Sequence, residues 1–255
     1  MKKTLIALAV AASAAVSGSA MAWTENGTGG SVDISGTITP DTITAPWEVK
    51  VGAALTGLDA QISAGATALS LNIPADSLVL GIRTKDGWIN GAAGISPQIN
   101  YHGAIGNSYT KGVTDLTLAV KDADSDQEIG LLTTKLTTGA KGSTITATSS
   151  GNYDIGADQA GQAFFGGIGG TIWSNLHDDP EALAANVDST IIENFEKAGS
   201  GLGVFPSKFD VTDAQYNAFY VSALESSNAV NIQLNDPVIS DINWKASLPV
   251  TVSYQ

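Results

Sequence analysis

Residues 30–39 read GSVDISGTIT. Gly30, Val32, Ile34, Gly36 and Ile38 alternate with Ser31, Asp33, Ser35, Thr37 and Thr39, a period of two that predicts a strand with one buried face. Two of the five inward positions are glycine, and a loose polar leader, residues 23–29, comes before them. A strand so poor in inward side chains suits a groove supplied by another chain.

The chain ends on a stretch just as regular. Ala246, Leu248, Val250, Val252 and Tyr254 alternate with Ser247, Pro249, Thr251, Ser253 and Gln255. Pro249 has no N–H to give to a ladder, so this strand is not fully paired on both sides. A chain that finishes inside a β core with one side incompletely paired lacks something.

Residues 1–22 have Lys2 and Lys3 at their head, an apolar run over residues 5–16 and Ala20-Met21-Ala22 at the end. This is the pattern of a secretory signal peptide, with an apolar part too short to span a membrane. The mature chain then starts at Trp23 and works outside the cytoplasm. The leader holds two of the twelve basic residues and none of the twenty-five acidic ones, which leaves the mature chain with a formal charge of −15. Nucleic acid and anionic membrane surfaces would repel such a chain. Cysteine is absent, which excludes thiolate metal sites, catalytic thiols and a disulfide-stapled fold.

Between the two alternating ends lie many short strands. Trp47-Glu48-Val49-Lys50-Val51 alternates, and residues 68–73 (ALSLNI) and 77–84 (SLVLGIRT) flank Pro74-Ala75-Asp76 as a hairpin or a sheet-switching corner. Residues 98–101 form a further short strand. Residues 115–121 and 128–136 make the most legible hairpin, and residues 230–234 a return strand. Residues 209–226 carry both helical and β spacing, with strand favoured from about residue 218. Asp179-Pro180-Glu181 opens a helix over residues 180–198, with Leu183, Val187, Ile191 and Phe195 on one face and Gly199 at its end. Residues 162–173 (QAFFGGIGGTIW) are either a shorter helix or an irregular packed segment. The residues thus describe an all-β sandwich that carries a partly helical insertion near residues 154–203.

Chemistry-bearing motifs are absent. Residues 122–127 (DADSDQ) resemble the start of a calcium loop, but Gln127 stands at the sixth position and Thr133 at the twelfth, so a solvated hairpin tip is the better account. His177-Asp178-Asp179 has no second histidine nearby, and residues 166–170 (GGIGG) fail the dinucleotide fingerprint at Ile172. Neither an enzyme nor a cofactor or metal protein is indicated. A secreted glycosidase stays open only because carboxylates are plentiful, and a small outer-membrane β-barrel channel because it would share the leader, the acidity and the alternation.

Trp23 after the leader, residues 31–39 (SVDISGTIT), residues 47–52 (WEVKVG), Phe164-Phe165-Gly166-Gly167, Trp244 and the ending PVTVSYQ follow one another in a known order. In that order the chain resembles the major subunits of chaperone–usher fimbriae of the FaeG type, above all the ClpG-type subunit of a capsule-like enterobacterial fimbria. The resemblance implies an incomplete immunoglobulin-like β-sandwich that lacks its last strand. It divides the chain into signal peptide (1–22), donor-strand extension (23–40) and pilin domain (41–255). Val32, Ile34, Gly36 and Ile38 would be the donor positions. Leu248, Val250, Val252 and Tyr254 would line the acceptor groove, filled first by a periplasmic chaperone and then, at an outer-membrane usher, by the next identical subunit. The insertion would face a host carbohydrate receptor, with Phe164, Phe165, Trp173 and His177 as candidate contacts.

Overall fold

An eighteen-residue strand, Glu128–Ile145, is the spine of the fold. The computed structural model describes residues 45–255, and the spine is the seventh of thirteen strands there. Before it come β1 (Trp47–Val51), β2 (Ala68–Asn72), β3 (Ser77–Thr84), β4 (Ile89–Asn90), β5 (Pro97–Asn100) and β6 (Val113–Asp122). After the spine, β7, come β8 (Ser150–Ile155), β9 (Ser200–Phe205), β10 (Gln215–Leu224), β11 (Ala229–Leu234), β12 (Trp244–Ala246) and β13 (Thr251–Tyr254).

Two halves of β7 serve two sheets. Residues 128–137 pair with β6 on one edge and, in part, with β11 on the other. Residues 137–145 pair with β10 and β8. One sheet therefore runs β1-β3-β10-β7-β8-β9 and the other β2-β11-β7-β6-β12. Because β2 joins β11 while β3 joins β10, residues 73–76 are a sheet-switching corner and not a hairpin turn. The result is an all-β open antiparallel sandwich, with β8–β9 as its parallel pair. Among the described residues, edges remain on both sheets, and these strands form an open sandwich and not the closed wall of the barrel alternative.

The burial pattern shows what each strand touches. In the first half of β7, Gly130, Leu132, Thr134 and Leu136 are buried and Leu131, Thr133 and Lys135 between them are exposed, which is the pattern of a sheet with one wet face. From Thr137 to Ala140 every residue is buried, because a helix covers the outer face. Strand β10 is covered in the same way. Tyr216, Ala218 and Tyr220 face the main core, whereas Phe219, Val221 and Ala223 form a separate cluster with Leu183, Ala184 and Ile191.

That helix is α1 (Pro180–Asp188), opened by Asp179, whose side chain accepts the Ala182 N–H at 3.0 Å. It is shorter than the 180–198 expected. Asp188 accepts the Thr190 N–H at 3.1 Å and starts a tighter turn, Ser189–Ile192. The same carboxylate pairs with Lys50 on β1. The apolar stripe still holds, since Leu183 and Ile191 are buried and Val187 and Phe195 partly so in the same cluster. Gly199 does not cap this helix. Its φ of +53° and a Cβ position 2.3 Å from the Ser150 carbonyl oxygen place it at a close crossing beside β8.

The main core gathers around aromatic rings. Phe164 stacks on Tyr220 at 5.3 Å and meets Trp47 edge-on at 5.9 Å, while Trp47 lies 5.1 Å from Phe209. Several polar atoms inside are paired, although Ser96 Oγ accepts and donates no hydrogen bond among the described residues. Trp47 Nε1 donates to the Ile95 carbonyl at 2.7 Å. The Tyr220 hydroxyl donates to Gly167 at 2.8 Å, and the Tyr101 hydroxyl joins it at 3.1 Å and Ser222 Oγ at 2.8 Å. Burial pushes the Tyr101 hydroxyl up to about 12, so this chain of hydroxyls stays neutral.

Phe164 is fully buried, so Phe164→Ala leaves a cavity between three rings and is expected to cost about 3–5 kcal/mol, read by denaturant unfolding. A second outcome concerns Asp154 on β8, which is buried beside Lys141 at 3.5 Å and lies in the field of Glu181 and Asp179. Desolvation holds its carboxyl above the usual 3.8 despite the lysine. An acid raised in the folded state binds its proton more tightly there, so its share of stability grows as pH falls through the folded value. Asp154→Asn is expected to remove that acid-side gain from a melting-temperature profile and to leave the melting temperature at pH 7 no lower than that of the parent.

Candidate functional site

Strands β12 and β13 are two pieces of one extended ending. β12 pairs antiparallel with β6, and β13 with β5. Between them, residues 247–250 carry no ladder, and Pro249 sits there with no N–H to contribute. Gln255 closes the end by exchanging two backbone hydrogen bonds of 3.0 Å with Ser96. Among the described residues, no strand pairs with the other edge of β12 or β13.

Side chains along this ending alternate as the sequence predicts. Leu248, Val250, Val252 and Tyr254 are half-buried against the main core, and Ser247, Pro249, Thr251 and Ser253 are exposed. Half-burial is the informative feature. These side chains touch the core on one side and keep an open side, which is what a groove missing one strand leaves behind. Trp244 and Ala246 continue the row onto the second core cluster, where Leu55 and Leu58 from the strandless residues 52–67 also rest. Burial against the main core lifts the Tyr254 phenol above its ordinary value.

A clip fixes the groove from behind. On the edge of β5 away from β13, the Phe164 N–H donates to Pro97 at 2.6 Å and the Ile99 N–H donates to Phe165 at 2.9 Å. The Gln98 amide nitrogen donates to the Gln162 carbonyl at 2.9 Å, and its oxygen accepts the Gly161 N–H at 3.0 Å. Gly166, with φ +85°, could carry no side chain, since a Cβ there would lie 2.1 Å from the Ile99 carbonyl oxygen. Residues 162–173 are thus an irregular packed segment, and its Phe-Phe-Gly-Gly run locks β5 in place.

The four expected receptor contacts do not share a surface. Phe164 lies inside the core, and Phe165 is half-buried on the clip. His177 is half-buried and its Nδ1 accepts the Asp179 N–H at 3.0 Å, a role in the approach to α1. Trp173 alone of the four is well exposed, at 60%. The donor positions Val32, Ile34, Gly36 and Ile38 lie outside the described residues. In the acidic hairpin tip, Asp122 Oδ1 accepts from Asp124, Ser125 and the Ser125 hydroxyl, and Asp126 pairs with Lys245 at 3.0 Å and Lys121 at 3.4 Å. Among the described residues, no three His, Asp or Glu side chains are placed to hold a metal ion.

Sequence reasoning missed the clip and the Leu55–Leu58 wall. Gly166 beside Gly167 was the available signal for the clip, because adjacent glycines mark a close approach of two backbones.

A family model described as "Fimbrial, major and minor subunit" matches residues 1–255. The chain is similar to the K88 fimbrial protein AB of Escherichia coli, at 28% identity over the full length of both chains. It is equally similar to the K88 fimbrial protein AC and, at 29% identity, to the F41 fimbrial protein, both of Escherichia coli and again over full length. By this match over its whole length, the chain belongs to the family of major and minor fimbrial subunits, non-enzymatic proteins that are exported and assembled into fimbriae on the cell surface.

Proposed function

We propose that this subunit polymerises by donor-strand exchange. The observation that carries the reading is the row Leu248, Val250, Val252 and Tyr254, half-buried beside an edge with no strand on it among the described residues. Residues 30–39 of a neighbouring identical copy are the natural filling, because their period of two matches the groove. Val32, Ile34 and Ile38 insert, and Gly36 passes where a side chain has no room. Three aliphatic side chains buried at about 1.5–3 kcal/mol each contribute roughly 5–9 kcal/mol before any ladder bond. The donor and acceptor surfaces differ, so the contact is head-to-tail and builds a filament. A periplasmic chaperone protects the groove until an outer-membrane usher brings the next copy.

The same subunit also acts as an adhesin towards a host carbohydrate receptor. Trp173 supports this, as an indole held outward on a short turn, Trp173–Asn175, within the segment 154–203. A flat apolar face with a polar edge suits sugar rings.

Two experiments test these roles. Deleting residues 23–39 from the mature chain is expected to give an unstable monomer, and moving the segment to follow Gln255 a stable one; a stable monomer from the plain deletion refutes the donor role. Ile34→Asp should stop polymerisation with the subunit's own core intact, and normal fibres from it would remove Ile34 from the groove. For adhesion, fimbriae carrying Trp173→Ala are expected to assemble to normal length and bind host glycans at least several-fold more weakly. Unchanged binding moves the receptor site elsewhere.

A further inference from the structure

Where β8, β9 and β10 come together, an open groove of about 450 Å3 is walled by Tyr153, Leu202, Phe205 and Tyr216 and also carries Lys208 and Asp210. Phe205 is 46% exposed and packs edge-on against Tyr153 at 6.2 Å. Leu202 and Val211 are exposed beside it, so the apolar surface is continuous and uncovered.

Polar groups line it as well. Gln162 is more than nine-tenths buried, and its Oε1 accepts the N–H groups of Asp158 at 2.6 Å and Gln159 at 3.2 Å. Its Nε2 meets no acceptor among the described residues and opens to the solvent of the groove. Lys208 and Asp210 have no ion-pair partner among the described residues either. The groove therefore fits an occupant that brings an aromatic ring, a backbone carbonyl and charges of both signs.

Position narrows the choice. Gly161, next to Gln162, faces Gln255, with a Cβ position 3.9 Å from the Gln255 side-chain oxygen. The Gln162 side of the groove thus lies close to the end of β13. A donor strand paired antiparallel to β12 and β13, as every other strand pair except β8–β9 is paired, would place residue 38 towards Leu248 and residue 32 towards Tyr254. Residues 23–31 would then emerge at Tyr254, and nine extended residues reach up to about 30 Å. Those residues begin Trp-Thr-Glu, and removal of residues 1–22 leaves a free amino group on Trp23.

We infer that this groove seats the leader of the neighbouring copy, with the Trp23 indole among Phe205, Tyr153 and Tyr216, the Trp23 ammonium at Asp210, Glu25 at Lys208 and a leader carbonyl on Gln162 Nε2. The inference rests on the donor-strand reading above. It extends the joint between subunits beyond the donor strand to a second anchor at the far end of the leader.

The chain has no cysteine, so introduced pairs can be cross-linked cleanly in assembled fimbriae. Thr24→Cys with Val211→Cys tests the leader, and Asp33→Cys with Ser253→Cys tests the donor strand. Both pairs are expected to give covalent multimer ladders with a short bis-maleimide. Trp23→Ala and Phe205→Ala should each speed dissociation in warm detergent several-fold, with the double variant no faster than either. Ladders from the donor pair alone, with dissociation unchanged in Trp23→Ala, overturn the inference and leave donor-strand exchange standing. Failure of both pairs overturns both. If Phe205→Ala weakens host-glycan binding by the fimbriae and leaves dissociation unchanged, the groove is a saccharide site and the inference is wrong.

Discussion

Backbone N–H and C=O groups along β12 and β13 find partners in β6 and β5 on one edge and, among the described residues, none on the other. The side chains on the same strands are half-buried in the main core. An open ladder edge and an incompletely covered core are separate costs, and here both fall on the same few residues. One added strand with the right alternation removes both together. Filling the groove is therefore coupled to the folding of the domain that owns it, since whatever binds the folded state stabilises it.

The rest of the domain holds that edge in position. β7 carries both sheets, which fixes β6 and with it β12. The clip of residues 161–167 fixes β5 and with it β13. Phe164 belongs to both arrangements, since its backbone bonds Pro97 and its ring lies between Trp47 and Tyr220. The segment expected to serve recognition at the outer surface thus also braces the strands that would form the proposed acceptor groove, β5 and β13, whereas its turn at Trp173 points outward.

What could be read from the sequence follows from how many faces a segment buries. The ending from Ala246 to Gln255 buries one face, so its alternation was enough to place Leu248, Val250, Val252 and Tyr254 on the core side. β10 buries both faces, one under α1 and one in the main core. Its near-continuous apolar run therefore fits strand and helix equally, and the strand begins at Gln215, earlier than its composition indicated. The helix was legible at its start, where Asp179 and Pro180 act locally, and not at its end. There Asp188 turns to Thr190 and to Lys50 on a distant strand, a competition that four-residue spacing does not record. The clip was hidden for the same reason, because Gln98 and Gln162 meet only once the chain has folded.

Among the described residues, edges also stay open at β1, β2 and β9, and a polymer subunit must keep them from pairing at random. β1 carries Lys50, tied by its ion pair to Asp188 beside α1, so a second strand arriving there would have to displace a charge. β2 is five residues long and exposes Ala68, Ser70 and Asn72, and β9 carries two glycines and is followed by Pro206. None of these edges has a row of half-buried side chains as long as that of β12 and β13. The chain's formal charge of −13 adds a general repulsion between copies, which close apolar burial can overcome and casual edge contact cannot. Selectivity for one edge therefore does not require the others to be hidden. It requires that only one of them return the energy of completing a core.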